Sequence, residues 1–329
     1  MKILDCTLRD GANVVGMGFN AELTKMMIEG MIKAGITTIE MGNAHGLGAI
    51  EPSERAPLTD IEYLNLILPY LPQAEIGMFM LKKYATQENI NLAAQYGLKF
   101  LRVGANAGDG SGACEGIRKV KAAGLECKYS LMKAYVLSAE ELAKEARMLA
   151  ECGLDEITIM DSAGTMMPDQ VEEYVKALVE AVDIPVGFHG HNNLGLSVAN
   201  ALAAQRAGAK VFDSGLLGMA RSAGNCATEL LIAAFQRNGW LQDIDLNELL
   251  KFLDNELIPA MEEYNYKTAV CPLDLVLGYS GCHSSYTKIF KDIAEQMNVP
   301  LYKLISEVSK IDKKVPNMEL IKAVASDIK

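Results

Sequence analysis

Short apolar segments alternate along most of the chain with segments of helical periodicity. The apolar segments have the length of strands and are rich in Ile, Val and Phe. Strands that are apolar throughout are typical of a parallel sheet covered by helices on both faces. The pattern predicts eight strands: Lys2–Cys6, Thr37–Met41, Glu75–Met80, Lys99–Val103, Leu125–Met132, Glu156–Asp161, Pro185–His189 and Lys210–Ser214.

The segments between these strands are predicted to be helices. In Asn20–Ala34 the apolar residues recur on one face, and Ser138–Cys152 begins with the capping-box sequence Ser-Ala-Glu-Glu. Ala-Gly or Cys-Gly pairs precede several strands, and glycine is favoured just past a helix because it adopts the left-handed conformation easily. Eight repeats of strand and helix predict a TIM (β/α)8 barrel.

The alternation ends near Trp240, and the rest of the chain is predicted to be mainly helical. Asp245–Tyr264 has the pattern of one long helix. We therefore predict a barrel catalytic domain over residues 1–264 and a small C-terminal helical domain over residues 265–329. The predicted helices of the second domain are Ser284–Met297, Leu301–Val308 and Asn317–Ser326.

Composition narrows the functional classes. The chain of 329 residues is half hydrophobic and carries a net charge of -11, with its basic residues scattered, which argues against a nucleic-acid partner. No apolar run is long enough to span a membrane, and the first strand begins too early for a signal peptide. We expect a cytoplasmic protein whose seven cysteines are reduced thiols. Because the protein is negatively charged overall, an anionic substrate would need a nearby arginine or a metal ion to bind.

Two motifs at the ends of the first and seventh predicted strands carry the strongest chemical signal. Arg9 and Asp10 follow the first strand, and His189 and His191 end the seventh. Side chains at i and i+2 of a strand point to the same side of the sheet. In a closed barrel the eighth strand lies between the seventh strand and the first, so the two motifs are close together. We predict that Asp10, His189 and His191 bind a divalent ion with open positions for substrate. Such mixed ligands suit Mn²⁺, Mg²⁺, Co²⁺ or Zn²⁺.

Other polar residues near strand ends have two interpretations each. Arg9 either offers a bidentate fork to a carboxylate or enolate oxygen, or forms an ion pair in the barrel mouth. Ser162 either donates to a substrate carboxylate or serves an ordinary turn. His45 and His283 are either general acid–base groups or structural imidazoles. Asn225 is interpreted as a helix cap or a polar contact rather than a ligand.

At these residues the chain resembles the DRE-TIM metallolyase superfamily, and within it the 4-hydroxy-2-oxovalerate aldolases. The resemblance runs essentially end to end, and the combination of His-x-His with Arg-Asp is specific to the superfamily. The motifs occur in family order: Thr7–Gly11, Ala44–Gly46, Asp161–Gly164, Gly190–Gly195 and Ala223–Asn225.

The resemblance implies a metal-dependent carbon–carbon lyase that cleaves a 4-hydroxy-2-oxo acid to pyruvate and an aldehyde. It implies that Asp10, His189 and His191 hold a divalent ion, often Mn²⁺, that Arg9 steadies the enolate oxygen and that Ser162 touches the carboxylate. The protein is expected to form a homo-oligomer. The segment Leu277–Gly281 resembles the C-terminal domain of those aldolases, which contacts an acylating aldehyde dehydrogenase.

The chain departs from the aldolase pattern at two positions. Asn13 stands where the aldolases carry the acid–base histidine, and His283 stands where they carry a tyrosine. An amide cannot accept that proton at neutral pH, so we expect Asn13 to bind substrate. Either His283 or His45 would then serve as acid–base group, or the leaving fragment would differ from a simple aldehyde.

Two alternatives stay open at this point. The first is a Claisen-type acyl-CoA synthase or lyase that uses the same enolate chemistry. The second is a non-catalytic barrel that acts as a binding or regulatory subunit. This alternative is suggested by Asn13, which replaces the acid–base histidine of the aldolases.

Overall fold

Eight parallel strands close into a barrel in which each strand pairs with its neighbours in sequence. The computed structural model describes residues 1–49, 57–267, 272–280, 282, 286–312 and 316–328. The strands are almost wholly buried, as the apolar segments predicted, and the predicted TIM barrel is confirmed. The strands are β1 Lys2–Asp5, β2 Thr38–Met41, β3 Glu75–Leu81, β4 Phe100–Asn106, β5 Glu126–Met132, β6 Glu156–Asp161, β7 Val186–Gly190 and β8 Val211–Ser214.

A helix follows each strand and covers the outside of the barrel. The predicted capping box is present at the fifth helix, where the Ser138 side chain accepts from the Glu141 amide and the Glu141 side chain accepts in return. The helices are α1 Ala21–Lys33, α2 Asp60–Ile67, α3 Gln87–Gln95, α4 Cys114–Ala122, α5 Ala139–Glu151, α6 Pro168–Ala181, α7 Ser197–Arg206 and α8 Thr228–Arg237.

The closure of the barrel brings the ends of β1 and β7 to the same mouth. Strand β8 pairs with both, since Val211 lies opposite Lys2 of β1 and opposite Gly187 of β7. In barrels of this type the carboxyl ends of the strands carry the functional groups. The residues just after β1 and at the end of β7 are therefore separated only by the width of one strand.

The contacts divide the chain into two compact units, Met1–Leu231 and Ile232–Lys329. In the second unit helix α9 (Leu246–Phe252) packs against helix α13 (Leu301–Ile311), which places the helices after Asp245 with the C-terminal ones. The boundary between these units lies earlier in the sequence than the domain boundary predicted after residue 264. The predicted boundary concerns domains that fold independently, and it stays a prediction. The helices of this unit are α9 Leu246–Phe252, α10 Ile258–Glu262, α11 Pro272–Ser280, α12 Thr287–Met297, α13 Leu301–Ile311 and α14 Met318–Asp327.

The long helix predicted over Asp245–Tyr264 is interrupted by a π-helical turn at Leu253–Leu257. Pro259 follows this turn and has no N–H to donate, so the regular α-helical bonding cannot continue through it. Within the described ranges, no helix combines the length and the apolarity that a bilayer span requires.

One expectation about the cysteines was wrong. Cys114 at the start of α4 and Cys152 at the end of α5 form a disulfide with Cα atoms 5.5 Å apart. Neighbouring helices of the barrel bring these residues together, although they are 38 positions apart in sequence and show no recognisable spacing. Four described cysteines are buried and outside any disulfide: Cys6, Cys127, Cys226 and Cys282.

Candidate active site

Asp10, His189 and His191 lie together at the mouth of the barrel. The carboxylate oxygen Oδ2 of Asp10 is 3.7 Å from Nε2 of His189 and 3.9 Å from Nε2 of His191. One ligand atom from each of the three residues lies within 4.8 Å of the others. The structure therefore brings together the three side chains that the motifs predicted as metal ligands.

The geometry of these three side chains fits a divalent ion. Both Nε2 atoms approach the same carboxylate oxygen at distances too long for a direct hydrogen bond, as ligands do around a shared ion. Asn225 donates to Oδ2 of Asp10 at 2.9 Å, which makes it the polar contact that the sequence suggested. Its own Oδ1 is buried, and no described residue donates to it. An oxygen of this kind beside Asp10 is a further donor that a hard cation accepts.

Burial and neighbouring charges keep Asp10 and His191 in the forms that bind a metal. Burial alone would raise the pKa of the Asp10 carboxyl, but the charges of Arg9, His189 and His191 hold it well below its usual range. Burial, together with the neighbouring His189, lowers the pKa of His191 to about 4. At neutral pH the cluster therefore presents a charged carboxylate and a neutral His191 imidazole, the states that metal ligation requires.

A chain of buried ion pairs lies beneath this cluster. Asp213 accepts from Nη1 of Arg102 at 2.5 Å and lies 3.0 Å from Nδ1 of His189. Nε of Arg102 donates to Glu40 at 2.5 Å, and the other oxygen of Glu40 accepts from Nε of Arg9 at 2.6 Å. This series of ion pairs ends at His189 on one side and at Arg9 on the other, and Arg102 is fully buried between them. Carboxylates behind ligating histidines fix the ring orientation and the proton position.

Glu40, Arg102 and Asp213 were missed by reasoning from the sequence. Each is the one charged residue of a buried strand, namely β2, β4 and β8. Charged residues that are fully buried need partners, so their presence in such strands was an available signal. The pairing itself depends on barrel closure, because Arg102 and Asp213 are 111 positions apart.

A cavity of about 650 Å³ opens above the cluster. Arg9, His45 and Ser162 line it together with the three predicted ligands. It also exposes the basic side chains of Lys83, Lys133 and Arg221. The remaining lining residues are Ala44, Ala49, Phe79, Leu81, Tyr84, Asn106, Met132, Met160 and Ser222.

The other predicted site residues have different positions. Ser162 accepts the backbone N–H of Lys133 at 2.9 Å, which leaves its hydroxyl hydrogen available to the cavity. The backbone of His45 is held by Asn43, whose Oδ1 accepts the His45 N–H at 2.9 Å. Asn13 is absent from the described residues that line the cavity. His283 lies outside the described residues.

Comparison with known proteins identifies the relationship. The HMGL-like family matches residues 111–255. The chain is 34% identical over 327 residues to 4-hydroxy-2-oxovalerate aldolase 2 of Rhodococcus jostii, which covers 99% of this chain and 94% of that protein. It is 31% identical to the 4-hydroxy-2-oxovalerate aldolase of Carboxydothermus hydrogenoformans, over 100% of this chain and 97% of that one.

A further relative is the oxaloacetate decarboxylase of Mycobacterium tuberculosis, which is 30% identical over 94% of this chain and 90% of its own length. Among solved structures, the N-terminal domain of a putative aldolase from Bacteroides vulgatus shares the fold, with a TM-score of 0.67, 24% identity and coverage of 94% of this chain and 97% of that one. The prediction of an aldolase-type carbon–carbon lyase is confirmed, and neither alternative is favoured. Aldolases of this group use a divalent metal ion. The chain belongs to the HMGL-like, or DRE-TIM metallolyase, family and within it is related to the 4-hydroxy-2-oxovalerate aldolases.

Proposed function

We propose that this protein cleaves, or forms in reverse, the carbon–carbon bond between a pyruvate unit and an aldehyde. The observation that carries the proposal is the convergence of Asp10, His189 and His191 on one point beside Arg9, at the base of an open cavity. An aldolase of this kind needs an electron sink at the keto oxygen, a group that bears the enolate charge and a group that moves a proton. The chain offers a residue for each task.

Asp10, His189 and His191 are proposed to hold the divalent ion, with Mn²⁺ as first choice and Mg²⁺, Co²⁺ and Zn²⁺ as alternatives. When bound, such an ion polarises the keto and carboxylate oxygens of a 2-oxo acid. The contact of His189 with Asp213 supports this assignment, because it directs Nε2 of the ring toward Asp10.

Arg9 is proposed to stabilise the negative charge that develops on the enolate oxygen. Its Nε is bound to Glu40 and its Nη1 lies 3.0 Å from Asp10, so the guanidinium is fixed in place. Its Nη2 is buried without a hydrogen-bond partner among the described residues, although Arg9 lines the cavity. A preorganised donor whose Nη2 has no partner among the described residues is suited to an oxyanion that appears only during the reaction.

Ser162 and His45 complete the proposed mechanism. The Ser162 hydroxyl, which already accepts from the Lys133 backbone, is proposed to donate to the substrate carboxylate. His45 lines the same cavity and is proposed to take the proton from the C4 hydroxyl during cleavage and to return it during addition. His283 stays the alternative acid–base group. A homo-oligomer and a partner acylating aldehyde dehydrogenase stay predictions from the resemblance.

The test is exchange of the pyruvate methyl hydrogens in deuterium oxide, followed by NMR with each of the four metals. We expect exchange that requires a divalent metal and stops when a chelator is added. Cleavage of 4-hydroxy-2-oxovalerate to pyruvate should require the same metal. Absence of exchange with every metal would overturn the proposal.

A further inference from the structure

The cavity carries more positive charge than a single 2-oxo acid requires. Lys133 and Arg221 are exposed at its rim. Asp10 is the one carboxylate among its described lining residues, in a chain whose net charge is -11. A local excess of one sign against the charge of the whole protein concentrates ligands of the opposite sign.

The charges of the two rim cations differ from that of Arg9 in how they are balanced. Arg9 is matched by Glu40 and by Asp10 within ion-pair distance. In the part of the chain that the structure describes, no carboxylate forms an ion pair with Lys133 or Arg221. A bound divalent ion would add positive charge to the same cavity. The carboxylate of one 2-oxo acid therefore leaves cationic groups without an anionic partner.

Asn13 directs Arg221 toward this site. The Asn13 side chain donates to the backbone oxygen of Asp10 at 2.8 Å, and its own oxygen accepts from Nε of Arg221 at 2.9 Å. The amide is neutral, so it positions the guanidinium without cancelling its charge. The two Nη groups of Arg221 stay available for a bidentate contact with an oxyanion. The departure from the aldolase pattern at Asn13 thus has a structural use: it anchors a cation beside Asp10.

The backbone is left-handed at Lys133 and at the residue that follows Arg221. Lys133 has a φ of 56°, and Ser222, which follows Arg221 and lines the cavity, has a φ of 58°. Residues other than glycine seldom adopt this left-handed region, and such strain concentrates where a side chain must be presented to a ligand. The Ser222 hydroxyl accepts from the Asn193 side chain at 2.6 Å, which holds the strained turn in place.

We propose that the second substrate of this enzyme carries its own anionic group, a carboxylate or a phosphate, which Arg221 binds and Lys133 attracts. The inference rests on the proposed aldolase function and narrows its aldehyde to an anionic one. The reaction stays balanced: C3 of pyruvate loses a proton and bonds to the carbonyl carbon, and the former carbonyl oxygen gains a proton. No electrons are exchanged with an outside group.

The experiment compares acceptors with and without an anionic group on a similar carbon chain, with pyruvate as the common donor. Succinate semialdehyde is paired with butanal, and glyceraldehyde 3-phosphate with glyceraldehyde, so that the carboxylate and phosphate classes are tested separately. The readout is kcat/KM for the anionic member divided by kcat/KM for the neutral member. For the wild type we expect a ratio of about ten or more in at least one pair, since charge-assisted contacts are worth roughly this factor.

Variants assign the effect to individual residues. Arg221→Met should lower the ratio about tenfold, Arg221→Lys should retain part of it, and Lys133→Met should lower it about threefold. Asn13→Ala should raise KM for the anionic acceptor more than it lowers kcat, because Asn13 acts by positioning Arg221. Lys144→Met is the matched control, because Lys144 is an exposed lysine of α5 outside the lining of the cavity.

The outcomes separate this inference from the function on which it rests. If the wild type, measured without an aldehyde acceptor, shows no metal-dependent exchange of the pyruvate methyl hydrogens, the aldolase proposal itself is contradicted. Exchange with equal use of anionic and neutral acceptors would overturn the inference alone. A preference for anionic acceptors that persists in both Arg221 variants would also overturn it, because another group would then bind the anion.

Discussion

Two clusters of potential metal ligands share His189, and they differ in what surrounds them. The open cluster consists of Asp10, His189 and His191 at the cavity, and the closed cluster consists of Cys6, His189 and Asp213 inside the barrel. His189 faces the first with Nε2 and the second with Nδ1. Spacing alone would permit an ion in either cluster.

The closed cluster already contains a cation. Nη1 of Arg102 bonds to Asp213 at 2.5 Å, and its Nη2 lies 3.3 Å from Sγ of Cys6. Burial, with the nearby charges of Asp213 and Glu40, raises the pKa of Cys6 well above its usual value, so the sulfur stays a protonated thiol and a poor ligand. Inside the barrel, the positive charge beside the ligand atoms therefore comes from the fixed guanidinium of Arg102. Among the described residues, the open cluster contains no such cation between its ligand atoms, so it can bind an exchangeable metal ion and a substrate.

The largest effect is expected from Asp10→Asn, which removes the anionic ligand of the open cluster while keeping its shape. Metal-dependent pyruvate exchange should fall about a thousandfold or more, because the amide is a far weaker ligand and no longer balances the cation. NMR exchange rates measure this loss. Exchange within tenfold of the wild type would show that another site holds the ion.

Arg102→Met, which removes the cation bonded to the closed cluster, should be the most destabilising change in this part of the barrel. It leaves Glu40 and Asp213 buried without their shared cation, at a cost of about 3–5 kcal/mol in the free energy of unfolding. Urea denaturation measures the change. The matched control is Arg206→Met, which breaks the exposed pair with Glu172 and should cost less than about 1 kcal/mol. Equal losses for the two variants would contradict the role given to the closed cluster.

Asp213→Asn should weaken metal binding at the open cluster without removing a ligand. The carboxylate holds the His189 ring, and loss of such a group costs about 10- to 100-fold in metal affinity. Calorimetric titration with Mn²⁺ measures this effect. Cys6→Ser, in the same closed cluster, should change the affinity only about twofold. A larger loss in Cys6→Ser than in Asp213→Asn would reverse the assignment of the two clusters.

The smallest effect concerns the pH dependence of the metal-free protein. Burial, together with the charges of His189 and Arg9, lowers the pKa of His191 from 6.5 to about 4, although the Asp10 carboxylate acts in the opposite direction. As the pH falls, His191 is protonated in the unfolded chain before it is protonated in the folded protein. The contribution of the neutral His191 to folding stability is therefore complete above pH 6.5 and is lost as the pH falls toward 4.

From about pH 7 to about pH 5 the free energy of unfolding should fall by about 1–2 kcal/mol through this group. Denaturation curves at the two pH values measure the fall, and His191→Gln should lack that part of it. An unchanged pH dependence in the variant would contradict the assignment.

The sequence predicted the open cluster well because its members sit at strand ends, where the barrel rule applies directly. Asp10 and His191 needed only the order of the strands. The closed cluster was missed because its members lie inside the barrel, where no motif marks them, and an isolated buried charge does not reveal its partner. The Cys114–Cys152 disulfide and the contact between Asn13 and Arg221 were missed because no spacing or motif in the sequence links the two residues of each pair.

The most direct measurement is the anomalous scattering of Mn²⁺ in a crystal of the wild-type protein. We predict one strong peak within coordination distance of an Asp10 carboxylate oxygen and of Nε2 of both His189 and His191. A peak between Cys6, Nδ1 of His189 and Asp213 would contradict the account, because the ion would then occupy the closed cluster. A protein that binds no Mn²⁺ or other divalent ion near Asp10 would contradict it as well.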